Sequence, residues 1–334
     1  MVAETVVRPE RSAVTTTSFE YYGLRCYFES SDSLMNELVA VKWSGFNPDR
    51  THVFEQTQLQ ILFGGDWPDT SHHLRLSATT WTTAEQIIVD HVYLGSLTRV
   101  KITLAGDTLE SIQLVTQPSM MFRAASAFTK NQLRRQLYQM LLKLYVEQTL
   151  LWYLSWRHNL LCLHAAAIEK NGQVVVLAGL NGVGKTSLAL SLVAKGYRLF
   201  ADNYLLMDAH RAFLAPDTVR LEEDQAAALP GHVSEIASFG FGKTYLETSS
   251  WSDQRSLPVG LVALLIRGSS WDRQPRSARE IIKTVQHLQR VHGEAVELTA
   301  LSQLRLAATS LKLPQTEYAL VTVGPLSQLP DDLL

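Results

Sequence analysis

The sequence predicts an α/β protein with a mixed sheet, preceded by a mainly β region. Three observations predict this class. The glycine-rich segment Gly179–Thr186 lies between an apolar run and a run with helical spacing. The dipeptide Asn171-Gly172 joins the apolar run to the one before it, as in a β-hairpin. Short apolar runs separated by turn residues fill the chain up to about residue 125.

The pattern of the first part of the chain predicts strands, and we find no catalytic or binding motif in it. Residues 1–18 are polar, rich in Thr and Val, and expected to form a flexible tail. Residues 19–128 are expected to form a mainly β accessory domain for substrate recognition. His72, His73 and His91 lack a metal-ligand spacing, which favours surface or sheet histidines. Six runs are typical of strands: Leu24–Phe28, Gln58–Phe63, His73–Ser77, Val92–Leu94, Val100–Leu104 and Ser111–Thr116.

A change of pattern divides the chain near its middle. Residues 129–158 are expected to form a long connecting helix, and residues 159–334 a second domain. Such an amphipathic helix can lie on a membrane, but burial against the second domain is the simpler interpretation. Seven apolar residues recur at helical spacing within it: Leu133, Leu137, Met140, Leu141, Leu144, Leu151 and Leu154.

Composition and charge narrow the class of protein. The chain has 334 residues, of which 46% are hydrophobic and 19% charged, as in ordinary globular proteins. A net charge of −2 gives no reason to expect nucleic acid or an anionic membrane as the main partner. No apolar stretch approaches the about 18 residues of a membrane span. Cys26 and Cys162 are far apart in the chain and flanked by apolar or aromatic residues, so we do not expect them to form a structural disulfide. Two free cysteines are typical of a protein in the reducing cytoplasm.

The segment Gly179–Thr186 fills every fixed position of the pattern G-x-x-x-x-G-K-[ST]. Glycines let the backbone turn its N–H groups toward phosphate oxygens, and the following helix adds its positive N-terminal end. Lys185 would contact the β- and γ-phosphates, while the Thr186 hydroxyl would bind Mg²⁺. A glycine-rich turn without a ligand is the alternative. The pattern predicts a nucleoside triphosphate site of nine residues: Gly179, Leu180, Asn181, Gly182, Val183, Gly184, Lys185, Thr186 and Ser187.

A phosphate-transfer site also needs a carboxylate, and Asp202 is the best candidate. It follows the short apolar run Tyr197–Ala201, at the strand end where open α/β sheets bind ligands. The alternative is an Asp that caps a turn. Asp208 is a weaker candidate, better explained as a turn residue beside Ala209 and His210.

Three features of residues 155–225 belong together: His164, the glycine-rich segment, and Lys195–Asn203, which reads KGYRLFADN. With them this part of the chain resembles the HPr serine kinase/phosphorylase superfamily, which has K-G-[HY]-R-L-x-A-D-D in the last of these segments. It implies a mixed-sheet phosphate-loop kinase core of HPr-kinase/PEP-carboxykinase-like type, with ATP and Mg²⁺. It also implies that Asp202 is the general base and a metal ligand, that His164 lies near this carboxylate, and that His164 and Lys185 take part in catalysis with it.

Departures from the superfamily pattern leave alternatives open. Asn203 replaces the second carboxylate, and the E-x-R-G-x-G segment is absent, so HPr as substrate and phosphorolysis are not expected. Glu222 would be a second metal ligand or the charged start of a helix. The resemblance implies a kinase that acts on a hydroxyl acceptor, either a serine of a peptide or protein or a small molecule. From the charge and composition, no nucleic acid or membrane partner is expected. A nucleotide-binding regulatory protein with decayed catalysis and an ATPase are the alternatives, and a homo-oligomer is left open.

Several basic residues are candidates with no assigned role. Ser238–Lys243 is glycine-rich and would be either a flap that carries Lys243 to the phosphates or a plain loop. Arg267 ends the apolar run Leu261–Ile266 and would reach phosphate; Arg220 and Arg255 are comparable candidates. Residues 273–290 predict an amphipathic helix, and 317–323 a last strand.

Overall fold

The computed structural model shows a mixed α/β protein with two large sheets. It describes residues 14–43, 49, 51–93, 95–129, 131–215, 219, 229, 233–235, 244–246, 250–291 and 316–330. No helix in these ranges combines the length and apolarity that a membrane crossing requires. The helices are α1 (Ser33–Lys42), α2 (Met120–Phe128), α3 (Gln132–Leu141), a π-helix (Leu142–Glu147), α4 (Gln148–His158), α5 (Lys185–Ala194), α6 (Ala278–Val291) and a 3₁₀ turn (Leu326–Gln328).

The first sheet has eight strands in the order β1-β2-β3-β8-β7-β6-β5-β4. The neighbours β2, β3 and β8 run parallel to one another, and the other pairs are antiparallel. The strands are β1 (Thr15–Tyr21), β2 (Leu24–Ser30), β3 (Thr57–Phe63), β4 (Leu74–Arg75), β5 (Thr80–Thr82), β6 (Gln86–Tyr93), β7 (Ser96–Ala105) and β8 (Thr108–Gln117).

The mainly β character of this part is confirmed, with three differences. Helix α2 (Met120–Phe128) follows β8, where no helix was expected. Helix α1 connects β2 to the parallel strand β3, a connection that a hairpin cannot make. The Asp32 carboxylate caps α1 by accepting from the N–H groups of Leu34 and Met35. Strand β1 begins at Thr15, inside the stretch expected as a tail, because β-branched threonines pair with β2. Residues 1–13 lie outside the described residues.

A helical segment follows the first sheet, and its central turn has π geometry. Helix α3, the π-helix and α4 are consecutive in the chain. The Glu147 carboxylate of the π-helix pairs with Lys42 of α1 at 2.8 Å. The Tyr153 hydroxyl of α4 donates to the Glu55 carboxylate at 2.6 Å. These contacts attach the helical segment to the connection between β2 and β3. The division of the chain into domains stays a prediction.

The second sheet has nine strands, and its main path is β12-β10-β11-β17-β14-β13-β9, with β19 beside β17 and β18 beside β19. Because β10 is antiparallel to both β11 and β12, strands β11, β12, β17 and β19 share one direction. The strands are β9 (Leu161–Leu163), β10 (Ala165–Lys170), β11 (Gln173–Gly179), β12 (Arg198–Ala201), β13 (Leu205–Met207), β14 (Arg211–Phe213), β17 (Ser256–Arg267), β18 (Asp272–Pro275) and β19 (Glu317–Val323), while β15 (Val233–Glu235) and β16 (Thr244–Leu246) pair separately.

The mixed sheet and the predicted hairpin are confirmed. Strands β10 and β11 pair antiparallel from Ala165↔Ala178 to Lys170↔Gln173. Asn171 and Gly172 have φ values of 51° and 74°, the left-handed conformation that a two-residue hairpin turn requires. The predicted helix at 273–290 is wrong at its start, because Asp272–Pro275 is strand β18, paired with β19, and α6 begins at Ala278.

Candidate functional site

The glycine-rich segment forms the connection between β11 and α5. Gly182 and Gly184 have φ values of 75° and 106°, which L side chains adopt with strain. A Cβ on Gly179 would lie 2.8 Å from the Leu265 carbonyl oxygen of the neighbouring β17. The first position therefore allows close packing on the sheet, and the other two allow the backbone to turn.

Helix α5 begins at this loop without a side-chain cap. Its N-cap residue is Gly184, which makes no side-chain hydrogen bond to the first turn, and the helix extends over ten residues. The N–H groups of a first helical turn have no acceptor within the helix, and they carry the positive end of its dipole. An anion at this end of α5 would supply the acceptors that the cap does not.

The Lys185 ammonium group lies over the loop. Its side chain is buried, with 8% of the residue exposed, and Nζ donates to the carbonyl oxygens of Gly179 at 3.0 Å and Leu180 at 3.2 Å. Both acceptors are neutral, and both belong to the loop. The geometry thus holds a positive charge at the mouth of the turn.

Asp202 lies against the start of α5. The Thr186 hydroxyl donates to Oδ1 of Asp202 at 2.8 Å, and Asp202 is 8% exposed. Strands β11 and β12 are parallel and separated only by β10, so both end at the same edge of the sheet. This arrangement brings together two residues that are sixteen positions apart in the chain.

The adjacent oxygens of Thr186 and Asp202 fit a Mg²⁺ ion that takes its other ligands from phosphate and water. Within the described ranges, no group of three or more His, Cys, Asp or Glu side chains could hold a metal ion. A magnesium ion here would therefore depend on a bound nucleotide for most of its coordination.

His164 lies beside the segment that follows Asp202. It stands between β9 and β10, and its ring centre is 5.6 Å from that of Tyr204. The next residue, Ala165, donates its N–H to the Asn203 carbonyl oxygen at 3.1 Å. Asn203 has a φ of 79°, a left-handed conformation that Asn tolerates better than most residues. The structure thus brings His164 close to this part of the chain.

Lys143 is a residue of this site that the sequence did not reveal. It belongs to the π-helix, and its Nζ lies 3.5 Å from Oδ1 of Asn203 and 5.9 Å from the centre of the Tyr204 ring. No carboxylate in the described part of the chain pairs with it. In the sequence, Lys143 looked like one of several polar residues on a helix face, and π geometry has no clear sequence pattern.

The two basic candidates that the structure describes, Arg267 and Arg255, lie at opposite ends of β17. Arg267 ends β17 at the loop, where its guanidinium donates to the Gly182 carbonyl oxygen. Arg255 precedes the same strand at its other end and donates to the Asp49 carbonyl oxygen at 3.3 Å. Arg267 is thus the one of these two that reaches the loop. Three other candidates, Arg220, Glu222 and Lys243, lie outside the described residues.

Two further features remain to be placed, a pocket beside the loop and the Asp208 carboxylate. A pocket of about 580 Å³ flanks the loop, and Leu180, Gly182, Arg267 and Thr284 are among its lining residues. Asp208 is a turn residue, as expected, because its Oδ1 accepts from the N–H groups of His210 and Arg211. Its carboxylate takes no part in the arrangement around Thr186.

Comparisons with known proteins give a distant likeness. No family model matches the chain, and no curated protein matches it. Matching solved structures include the Hpr(Ser) kinase/phosphatase from Coxiella burnetii, at 14% identity, over 41% of this chain and 99% of that chain, with a TM-score of 0.21. At this TM-score the likeness carries no argument about activity, and the case for function depends on the geometry of the site.

Proposed function

We propose that the protein is an ATP- and Mg²⁺-dependent kinase that transfers the γ-phosphoryl group to a hydroxyl acceptor. The contact that carries the proposal is the 2.8 Å hydrogen bond from Thr186 to Asp202 at the end of the glycine loop. It joins a phosphate-loop hydroxyl to a carboxylate that directly follows the parallel strand β12, the pair that binds Mg²⁺ in phosphate-loop enzymes.

The loop would bind the phosphates. Lys185 would exchange its two carbonyl acceptors for phosphate oxygens, which form stronger, charge-assisted hydrogen bonds. The N-terminus of α5 would face the same oxygens. Thr186 and Asp202 would hold Mg²⁺, which when bound supplies positive charge that neutralises the phosphate oxygens.

Asp202 would also accept the proton of the acceptor. In the proposed step, the hydroxyl oxygen bonds to the γ-phosphorus while its proton passes to Oδ2 of Asp202. The bond from the γ-phosphorus to the bridging oxygen breaks, and ADP leaves with that electron pair. His164 would stay near the carboxylate as a polar neighbour.

Lys143 would stabilise the charge that develops in this step. An Asp at position 203 would neutralise the ammonium group, whereas the Asn203 amide leaves its charge intact. This places a positive charge next to the chain neighbour of Asp202, where it can attract the transferred phosphoryl group.

A catalytically decayed, nucleotide-binding regulatory protein is the second candidate function. Asn203 favours it, because one carboxylate of the expected pair is missing at this position. The two candidates agree on nucleotide binding and differ on transfer.

A transfer assay separates the two candidates. The full chain is incubated with γ-labelled ATP, Mg²⁺ and extract from its own source, and label in any acceptor is measured. We expect transfer by the wild type, with a loss of about 100-fold or more in Lys185→Met and in Asp202→Asn. Lys143→Met should lower transfer by about tenfold.

Matched controls keep the assay specific. Asp208→Asn makes the same chemical change in a turn carboxylate, and Lys195→Met removes a lysine that also donates to a carbonyl oxygen. Lys170→Met removes a lysine that lies 5.9 Å from a tyrosine ring, like Lys143. All three should retain transfer. Tight ATP binding without transfer to any acceptor would support the regulatory protein and refute the kinase.

A further inference from the structure

A second cavity lies on the first sheet, away from the glycine loop. It has a volume of about 460 Å³ and lies between the carboxyl ends of β3 and β8 and the helices α2 and α3. None of its lining residues belongs to the loop or to the second sheet. We call it the sheet-edge pocket. Its volume is within the range of small-molecule sites.

The walls of the sheet-edge pocket are mostly apolar and fixed. Phe122 and Leu137 are buried wall residues, and the rings of Phe63 and Tyr138 meet edge to face with centres 5.1 Å apart. Buried aromatic and aliphatic walls accept the apolar body of a ligand without rearrangement.

One of the two arginines in the pocket is already neutralised. The Arg134 guanidinium pairs with the Asp32 carboxylate, which also accepts from the Tyr138 hydroxyl at 2.6 Å. Burial, followed by the hydrogen bond to Asp32, raises the pKa of Tyr138 well above its ordinary value, so the hydroxyl stays protonated and donates. This network fixes the wall and leaves no charge for a ligand.

The other arginine is not neutralised. Arg123 lines the pocket from α2, and no hydrogen bond or ion pair in the described part of the chain involves its guanidinium. One turn later on the same helix, Ser126 is 6% exposed, and its buried Oγ has no hydrogen-bond partner among the residues that the structure describes. Other buried hydroxyls in the described part of the chain share this property, such as those of Ser96 and Ser155, but Ser126 is the one that lines the pocket. A bound ligand is one explanation of such a group.

We propose that the sheet-edge pocket binds a small amphipathic acid. Its apolar body would lie against Phe63, Phe122 and Leu137. Its anionic group would accept from Arg123 and, after rotation of the Ser126 side chain toward the cavity, from the Ser126 hydroxyl. A cationic ligand is disfavoured because the accessible charge is positive. A polyphosphate is disfavoured because only one guanidinium in the pocket lacks a counter-charge among the described residues. The proposal is independent of the kinase activity.

The test is a titration of the full chain with decanoate and, separately, with decanol. Binding of each compound is measured as the displacement of the fluorescent anion 8-anilinonaphthalene-1-sulfonate. We expect decanoate to bind the wild type, and Arg123→Gln to weaken it about tenfold through loss of a charge-assisted hydrogen bond. Decanol should bind the wild type and Arg123→Gln equally, because it makes no charge contact.

A second variant shows where the acid binds. Ala127 lines the pocket from an exposed position on α2, so Ala127→Trp should fill the cavity and prevent binding of both compounds while the protein keeps its fold. Far-ultraviolet circular dichroism of each variant verifies folding. Failure of decanoate to bind the wild type at millimolar concentration, or equal decanoate affinity in wild type and Arg123→Gln, would overturn the proposal.

Discussion

The glycine loop and the sheet-edge pocket occupy equivalent places in the two sheets and are built in opposite ways. Each lies where parallel strands end: β11 and β17 at the loop, β3 and β8 at the pocket. The loop is backbone, turned at two left-handed glycines and completed by the start of a helix. The pocket is side chains, with apolar walls and one arginine without a counter-charge among the described residues.

Because main chain lines the loop and side chains line the pocket, the two sites suit different ligands. Backbone N–H groups and a helix end suit phosphate oxygens, which need many donors and close approach. Apolar walls with one guanidinium suit a ligand that carries a single charge on an apolar body. The same topological position therefore supports two kinds of chemistry, which depend on whether main chain or side chains line it.

A methyl group added at Gly184 is expected to give the largest difference between the glycine loop and the sheet-edge pocket, because it should weaken ATP binding and leave decanoate binding unchanged. Gly184→Ala and Gly196→Ala both place Ala at positive φ, at 106° and 95°, with no atom within 4 Å of the new Cβ. Each should destabilise the protein by about 1–3 kcal/mol through backbone strain. Only Gly184→Ala should also weaken ATP binding, by about tenfold or more, because its Cβ would point at the approach of the phosphates.

Urea unfolding and ATP titration of both variants test this expectation. Decanoate binding at the sheet-edge pocket should be unchanged in each. Equal loss of ATP affinity in the two variants would mean that strain, and not the loop surface, controls binding.

A smaller effect is expected at the pocket. Ser126→Ala removes a buried hydroxyl that has no partner in the described ranges, so it should raise the free energy of unfolding by about 0.5–1 kcal/mol. Ser30→Ala is the control, because the equally buried Ser30 hydroxyl accepts from the Asp32 N–H at 2.9 Å. The free energy of unfolding of Ser30→Ala should be lower than that of the wild type by about 1 kcal/mol.

Thermal or urea unfolding without ligand measures both serine variants. With decanoate present, the stabilisation by ligand should be smaller in Ser126→Ala than in the wild type. A loss of stability in ligand-free Ser126→Ala would show that the hydroxyl has a partner and would weaken the case for a site.

The two sites also differ in how much the sequence could predict. The loop is contiguous, and the Asn171-Gly172 turn identified the hairpin that leads into it, so mixed topology followed from local pattern. Asp202 was expected at a strand end, and the structure places it there beside Thr186. Whether these residues bind Mg²⁺ and accept a proton stays a prediction.

Residues from separate segments could not be predicted in this way. Lys143 of the π-helix reaches Asn203, sixty positions later in the chain, and π geometry has no clear sequence pattern. The sheet-edge pocket takes residues from β3, from β8 and from two helices, one of which, α2, was not expected. Packing alone brings them together, so only the structure could reveal them.

The most direct test of the central claim is a calorimetric titration of the full chain with ATP, in Mg²⁺ and in EDTA. We expect one ATP to bind per chain, with tighter binding in Mg²⁺. Thr186→Val keeps the shape of the side chain and removes the hydroxyl that donates to Asp202 at 2.8 Å. It should bind ATP in EDTA like the wild type and lose the gain from Mg²⁺. No ATP binding by the wild type, or a full gain from Mg²⁺ in Thr186→Val, would contradict the account.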